Sequence, residues 1–195
     1  MKKITFLVIT AFASVGAFAQ FNQGRMLVGG SAEIRTMADK DKSGGTTVTN
    51  GNRTSLSLSP SFGYFIIDQL AVGAAIDMGL SKWNDKSGFD DDNTTTNIQF
   101  QPFVRYYLPM GIFFQGKFGL GTAKTTYDDD SRDNKYNTSS LALSAGYAIF
   151  LSDNVSLEPE FGYRTSKFKN TDSDTKNLNS GIFLRIGFQI YLGNK

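Results

Sequence analysis

The chain has 195 residues, with 20 Lys and Arg against 18 Asp and Glu, 20 glycines, 13% aromatic residues, and neither histidine nor cysteine. Without His and Cys, serine–histidine, cysteine–histidine and zinc–histidine chemistry are excluded, and so are disulfides; burial and backbone hydrogen bonds alone must hold the fold. Setting aside Lys2 and Lys3, which belong to a leader, leaves basic and acidic residues in balance, so no basic surface for nucleic acid is implied.

The leader comes first in the chain. Lys2 and Lys3 precede an apolar run over 4–12, and Ala17-Phe18-Ala19 offers small residues at both positions that a signal peptidase reads. That pattern predicts a signal peptide over 1–19 and a single mature domain over 20–195. The run is shorter than the ~20 apolar residues of a spanning helix.

Eight segments of strict alternation follow, each reading as a strand with one apolar face. The first, over 26–36, sets Met26, Val28, Ala32 and Ile34 against Gly29, Ser31, Glu33 and Arg35. The second, over 55–66, sets Leu56, Leu58, Phe62, Tyr64 and Ile66 against Ser55, Ser57, Ser59, Ser61 and Gly63, and after Ile67-Asp68-Gln69 the third repeats the pattern over 70–81 with Asp77 on the small-residue face. The fourth, over 96–108, carries Arg105 opposite Val104 and Tyr106, and Pro109-Met110-Gly111 turns the chain into a fifth carrying Lys117. The sixth runs through Leu141, Leu143 and Tyr147; the seventh places Glu158, Glu160 and Arg164 on one face; the eighth, over 178–192, alternates from Leu178 through Ile186 to Leu192, with Arg185 between.

Connections alternate too. Few residues separate segments two and three, four and five, and six and seven, whereas roughly ten or more polar residues follow each odd segment, beyond the ordinary hairpin range. The pattern predicts an all-β fold, an eight-stranded antiparallel up-and-down transmembrane β-barrel with long outer loops and with both termini and the short turns in the periplasm. Volume sets the faces. The interior of eight strands is barely wide enough for side chains to fill, so the Gly, Ser and Ala face points inward and the Leu, Ile, Val and Phe face meets lipid. Tyr64, Tyr106 and Tyr147 are expected to form a lower aromatic girdle, and Trp83, Tyr163 and Phe168 an upper one. Pro60, Pro102 and Pro159 fall inside strands of a barrel without free edges, and local bulges are expected there.

Three groups of residues could carry function. Glu33, Asp77, Glu158 and Glu160 face Arg35, Arg105, Lys117, Arg164 and Arg185 across a narrow lumen, so a closed pairing network that plugs the barrel is expected, with a narrow ion path as the alternative. Asp90, Asp91 and Asp92 in one outer loop, and Asp128, Asp129 and Asp130 with Asp133 in another, are weak candidates for divalent cations; solvation of acidic loops explains them as well. Glu158 and Glu160 could form a carboxylate pair, but residues two apart on an inner wall are more simply salt-bridge partners. No cofactor is implied, and a non-enzymatic role is expected.

On these residues the mature chain resembles the small eight-stranded bacterial outer-membrane barrels of the OmpA/OmpX type, and more closely the porin-like outer-membrane β-barrel domain family. Residues 59–73, SPSFGYFIIDQLAVG, look like a hairpin that family often carries. The spacing of Arg185, Gly187, Ile190 and Leu192 resembles the C-terminal signal by which such barrels are handed to their insertion machinery. The resemblance implies the Gram-negative outer membrane, with its lipids and lipopolysaccharide and the insertion machinery as partners, a monomer, and an envelope-structural or surface-interaction role in which an unknown surface ligand could take part, with a narrow porin-like channel as the alternative.

Overall fold

The computed structural model describes residues 21–43, 46–85, 93–127, 134–171 and 176–193. Its strands are β1 (Met26–Ser43), β2 (Thr46–Ile67), β3 (Leu70–Asp85), β4 (Asn93–Tyr107), β5 (Ile112–Tyr127), β6 (Asn134–Tyr147), β7 (Ile149–Ser152), β8 (Val155–Asn170) and β9 (Lys176–Leu192). Chain neighbours pair antiparallel except β6 and β7, which both lie against β8, and β1 also pairs with β9, so the sheet closes on itself. β6 and β7 are one barrel stave. Gly146 faces Glu160 and Ile149 faces Leu157 in unchanged register, and of the two positions between them Tyr147 falls opposite Pro159, which has no N–H to give. The result is a closed eight-stave up-and-down barrel.

The same reasoning corrects the expected bulges. Pro60 pairs with Gly30, Pro102 with Ala74 and Pro159 with Ile186 without any shift, and the register shifts lie elsewhere, at Asp39/Lys40, Phe65/Ile67 and Phe150/Ser152. In an antiparallel ladder a residue bonds only one neighbour through its backbone, so each proline removes a bond on one side and leaves the register intact. The long outer loops also need correction. The strands run well past the alternating segments: β1 and β2 remain paired up to Ser43 and Thr46, two residues apart, where a connection of ten or more was expected. Thr- and Asn-rich stretches such as Thr46-Thr47-Val48-Thr49 and Thr94-Thr95-Thr96 extend the ladders. β-branched threonine suits a strand with water on both faces, and so the apolar alternation ends before the strand does.

Burial alternates along each stave, as in β4, where exposed and buried residues follow one another from Asn97 to Tyr107. The exposed set is apolar: Leu56, Phe62, Phe100, Val104, Phe114, Leu141, Phe161 and Ile186 are among the large side chains on the outside. A continuous belt of this kind requires hydrocarbon around it. Along β9 it runs from Leu192, level with Met26 and Tyr64, to Ile182, level with Tyr163, a span of eleven residues against the ~9–11 needed to cross a bilayer. Tyr64 and Tyr106 stand on the outer face at the short-turn end, and Tyr147, paired with Ile112, lies at that end of β6. The upper girdle is smaller than expected. Tyr163 faces out, but Trp83 and Phe168 fall on the inward parity of β3 and β8, in line with Asp77 and Glu160.

The interior departs from a lining of small residues. Phe103, Phe113 and Phe183 point inward, and each lies directly across from a glycine: Phe103 from Gly73, Phe113 from Gly146, Phe183 from Gly162. The glycine is required by close approach, since a Cβ on Gly73 would lie 2.6 Å from the Phe103 ring and one on Gly162 2.6 Å from the Phe183 ring. At the short-turn end the lumen is closed by an aromatic cluster. Phe21, from the segment before β1, stacks on Tyr107 at 4.2 Å and touches Phe65, Phe150 and Tyr191. Its backbone carbonyl accepts from the Gln69 amide at 2.6 Å, and the Gly24 amide donates to the Phe65 carbonyl at 2.9 Å.

Two stability measurements follow from this packing. Gly73→Ala should cost about 1–3 kcal/mol in urea unfolding, because the new methyl drives into the Phe62 carbonyl, the Gly63 backbone and the Phe103 ring, while Gly116→Ala, whose nearest neighbour is Leu143 at 3.6 Å, should be nearly neutral. Leu141→Arg on the outer belt should cost ~2–4 kcal/mol, and Ser57→Thr inside much less; equal effects would mean that the faces are reversed.

Candidate functional site in the barrel lumen

The lumen holds its charges in two groups above the aromatic floor. In the lower group the Arg105 guanidinium donates through Nη1 to Glu158 Oε2 at 2.7 Å and to the Tyr107 hydroxyl at 2.8 Å, and through Nε to Gln115 Oε1 at 2.7 Å. The other carboxylate oxygen, Glu158 Oε1, accepts from Tyr191 at 2.7 Å and lies 3.1 Å from Ser156 Oγ and 3.2 Å from the Tyr107 hydroxyl. Glu158 is thus fully satisfied inside the barrel, the condition under which a buried ion pair is tolerated. Arg105 also lies over the Phe113 ring at 4.4 Å.

In the upper group Glu33 Oε2 bridges Arg164 Nη2 at 2.8 Å and Arg185 Nη2 at 3.3 Å, joining β1, β8 and β9. Both guanidinium groups sit on Phe183, at 4.8 and 4.7 Å from its ring centre. Arg185 Nη1 reaches only to 3.8 Å from Glu160 Oε1, and Glu160 takes a 3.3 Å bond from the Gln115 amide, which links the two groups. Lys117 is buried with its ammonium 5.9 Å from the Phe103 ring centre and no ion pair among the described residues. Asp77 likewise has no cation within reach among them; it accepts from Ser59 at 2.6 Å and lies 3.4 Å from the Asn97 amide.

All the expected lumen residues with described side chains point inward: Glu33, Asp77, Arg105, Lys117, Glu158, Glu160, Arg164 and Arg185. The side chain of Arg35 lies outside the described residues, as do Asp90, Asp91, Asp92, Asp128, Asp129, Asp130 and Asp133. Glu158 and Glu160 do not act as a pair, since each goes to its own arginine. Of the C-terminal spacing, Arg185 and Gly187 point inward while Ile190 and Leu192 face out, on the strand that closes the barrel against β1. Sequence reasoning missed the neutral partners. Tyr107, Gln115 and Tyr191 complete the lower group, and Gln99, which accepts from Ser140 and Gln101 and donates to Thr138, carries a polar chain farther along the lumen. The available signal was Phe65-Ile66, Tyr106-Tyr107 and Phe113-Phe114: where two bulky residues adjoin, one of them must point inward.

A model of the outer membrane protein beta-barrel domain matches residues 4–185. The chain belongs to that family. This outer-membrane barrel is also similar to solved structures. Neisserial surface protein A is 14% identical, with a TM-score of 0.46, 86% of this chain and 97% of that chain covered. OprG of Pseudomonas aeruginosa is 16% identical, with a TM-score of 0.45 and coverage of 91% and 100%. Ail, the attachment invasion locus protein of Yersinia pestis, is 16% identical, with a TM-score of 0.43 and coverage of 86% and 99%. At these scores they stand as likenesses only. No curated protein matches the chain.

Arg105→Ala should destabilise the barrel by about 3–5 kcal/mol, because it leaves Glu158 charged and buried. Asp77→Asn, which alters a carboxylate held only by neutral partners, should cost about 1 kcal/mol or less. Equilibrium unfolding of both in one detergent checks the contrast.

Proposed function

We propose that this outer-membrane barrel is a non-enzymatic envelope protein whose role is structural and interactive, with a lumen closed to steady ion flow. The observation that carries the reading is the filled interior: the aromatic floor around Phe21 and Tyr107, and above it the Arg105–Glu158 and Glu33–Arg164–Arg185 groups, nearly all buried. An eight-stave lumen leaves little room to begin with. The short turns and both termini then lie in the periplasm, and the paired extensions beyond the belt, such as the outer part of the 22-residue β2, stand above the cell surface. Those paired hairpins, rather than long loops, are the parts that would meet an external ligand. Lipids and lipopolysaccharide surround the apolar belt, the insertion machinery reads the Arg185, Gly187, Ile190, Leu192 spacing of β9, and the chain works as a monomer.

A planar-bilayer recording tests this. Unmutated protein should give no steady openings, and Arg105→Ala should add a leak by removing the side chain that ties Glu158, Tyr107 and Gln115 together. Stable, ion-selective openings from the unmutated protein would establish the narrow channel instead, with the lumen charges as its selectivity determinants.

A further inference from the structure

Three aromatic side chains stand inside the barrel at the end away from the floor. Trp83 on β3 lies beyond Asp77, Phe168 on β8 beyond Arg164, and Tyr136 on β6 beyond Thr138, each on the inward parity of its strand. Beside each of them in the chain is an exposed lysine: Lys82, Lys135, and Lys167 with Lys169. The wall here is cationic toward the outside and aromatic toward the lumen, the reverse of the belt below. Tyr136 and Phe168 are diagonal neighbours, since Phe168 pairs with Thr138 and Tyr136 with Asn170. β3 and β8 lie four staves apart in either direction, so Trp83 stands across the mouth from that pair.

These rings are not used up in packing as those of the floor are. Phe21, Phe65, Tyr107, Phe113 and Tyr191 are at most 1% exposed, whereas Trp83, Tyr136 and Phe168 keep part of their surface accessible. Around them the wall offers hydroxyls and amides. Ser55 bonds Ser81 and Thr95 bonds Thr125, each at 2.9 Å and each to the next stave, so these contacts run along the wall and leave the width of the mouth free of them. Asn93, paired with Trp83, and Asn179, exposed although on the inward parity of β9, add amides. Beneath, the Gln99–Thr138 bond and the Glu33–Arg164 pair close the base. The upper lumen is a blind cup whose lining meets solvent.

We propose that this cup binds a saccharide, a pyranose ring lying against Trp83 or the Tyr136–Phe168 pair while its hydroxyls exchange hydrogen bonds with the serine, threonine and asparagine side chains. Aromatic faces take the C–H side of a sugar, and hydroxyls and amides both donate and accept, as a partner covered in hydroxyls requires. An alkyl chain would leave those polar groups without water or partner, and an organic cation would find no carboxylate in the described lining. The proposal rests on the reading of a lumen closed beneath the cup; bilayer current tests that reading, and sugar binding tests this one.

Trp83 is the chain's single tryptophan, so its fluorescence reads the cup directly. The full mature protein in phosphatidylcholine nanodiscs is titrated with maltohexaose, cellohexaose and N-acetylchitohexaose, with sorbitol, which has hydroxyls but no ring, as the control. At least one oligosaccharide should give a saturable change with a Kd on the order of 1 mM or below and should shield Trp83 from acrylamide quenching; sorbitol should do neither. Tyr136→Ser and Phe168→Ser, checked for folding by unheated-gel mobility, should each weaken that binding roughly tenfold. If neither variant folds, shielding in the unmutated protein still decides. No saturable response to any of the three sugars, equal shielding by sorbitol, or full binding retained in both variants would each overturn the proposal.

Discussion

The smallness of the lumen governs this molecule. In hydrocarbon every backbone N–H and C=O must be bonded within the wall, which forces closure, and closure with eight staves leaves an interior only as wide as the side chains that fill it. The chain meets that limit with a recurring lateral unit: a glycine on one stave, an inward phenylalanine beside it, and a cation on that ring. Gly73, Phe103 and Lys117 lie side by side on β3, β4 and β5, and Gly162 and Phe183 do the same on β8 and β9, between Arg185 and Arg164, whose guanidinium groups lie over the ring. The glycine makes room for the ring, and the ring supplies a negative face to a cation with little water around it. Charge and packing are therefore solved by the same residues.

The floor and the charged groups depend on one another through Tyr107 and Tyr191. Both rings pack with Phe21, and both hydroxyls meet Glu158, so the aromatic closure below holds the carboxylate to which Arg105 is bound. Phe21 contacts rings from β2, β4, β7 and β9, which ties the segment ahead of the first strand to staves around the barrel. Arg25 adds a further tie, donating to the Tyr191 carbonyl and to Asn154 at 2.9 Å. Among the described residues, backbone pairing of β1 with β9 ends at Ala32 and Ile186, and the Glu33–Arg185 ion pair ties the two strands just beyond it.

Much of this was legible in the sequence because period-two alternation is a direct consequence of strand geometry. Residues such as Leu56 to Tyr64 against Ser55 to Gly63 disclose both the strand and its faces. The inward charges followed from the same parity. What alternation cannot disclose is where it ceases to be needed. Above the belt Thr46 to Thr49 form strand with no apolar face to signal it, so paired strand reads as loop. At the floor both faces are apolar, so alternation alone does not mark Phe65, Tyr107, Phe113 and Tyr191 as lining, and only the adjoining bulky pairs hint at it. The prolines misled for a simpler reason: a missing donor was taken to require an extra residue, whereas Pro60, Pro102 and Pro159 each forgo one bond and keep the register. Which charge pairs with which was beyond sequence reasoning, since partners such as Glu33 and Arg164 meet only when the last strand closes on the first.

The central claim is that alternate residues of each stave face lipid and a packed interior. The most direct measurement is solution NMR of the protein in nanodiscs, recording side-chain contacts with lipid acyl chains along β4. Contacts are expected at Ile98, Phe100, Val104 and Tyr106 and none at Gln99, Gln101, Phe103 and Arg105. Acyl contacts at the second set, or rapid access of a water-soluble paramagnetic reagent to Phe103 and Arg105, would contradict the account.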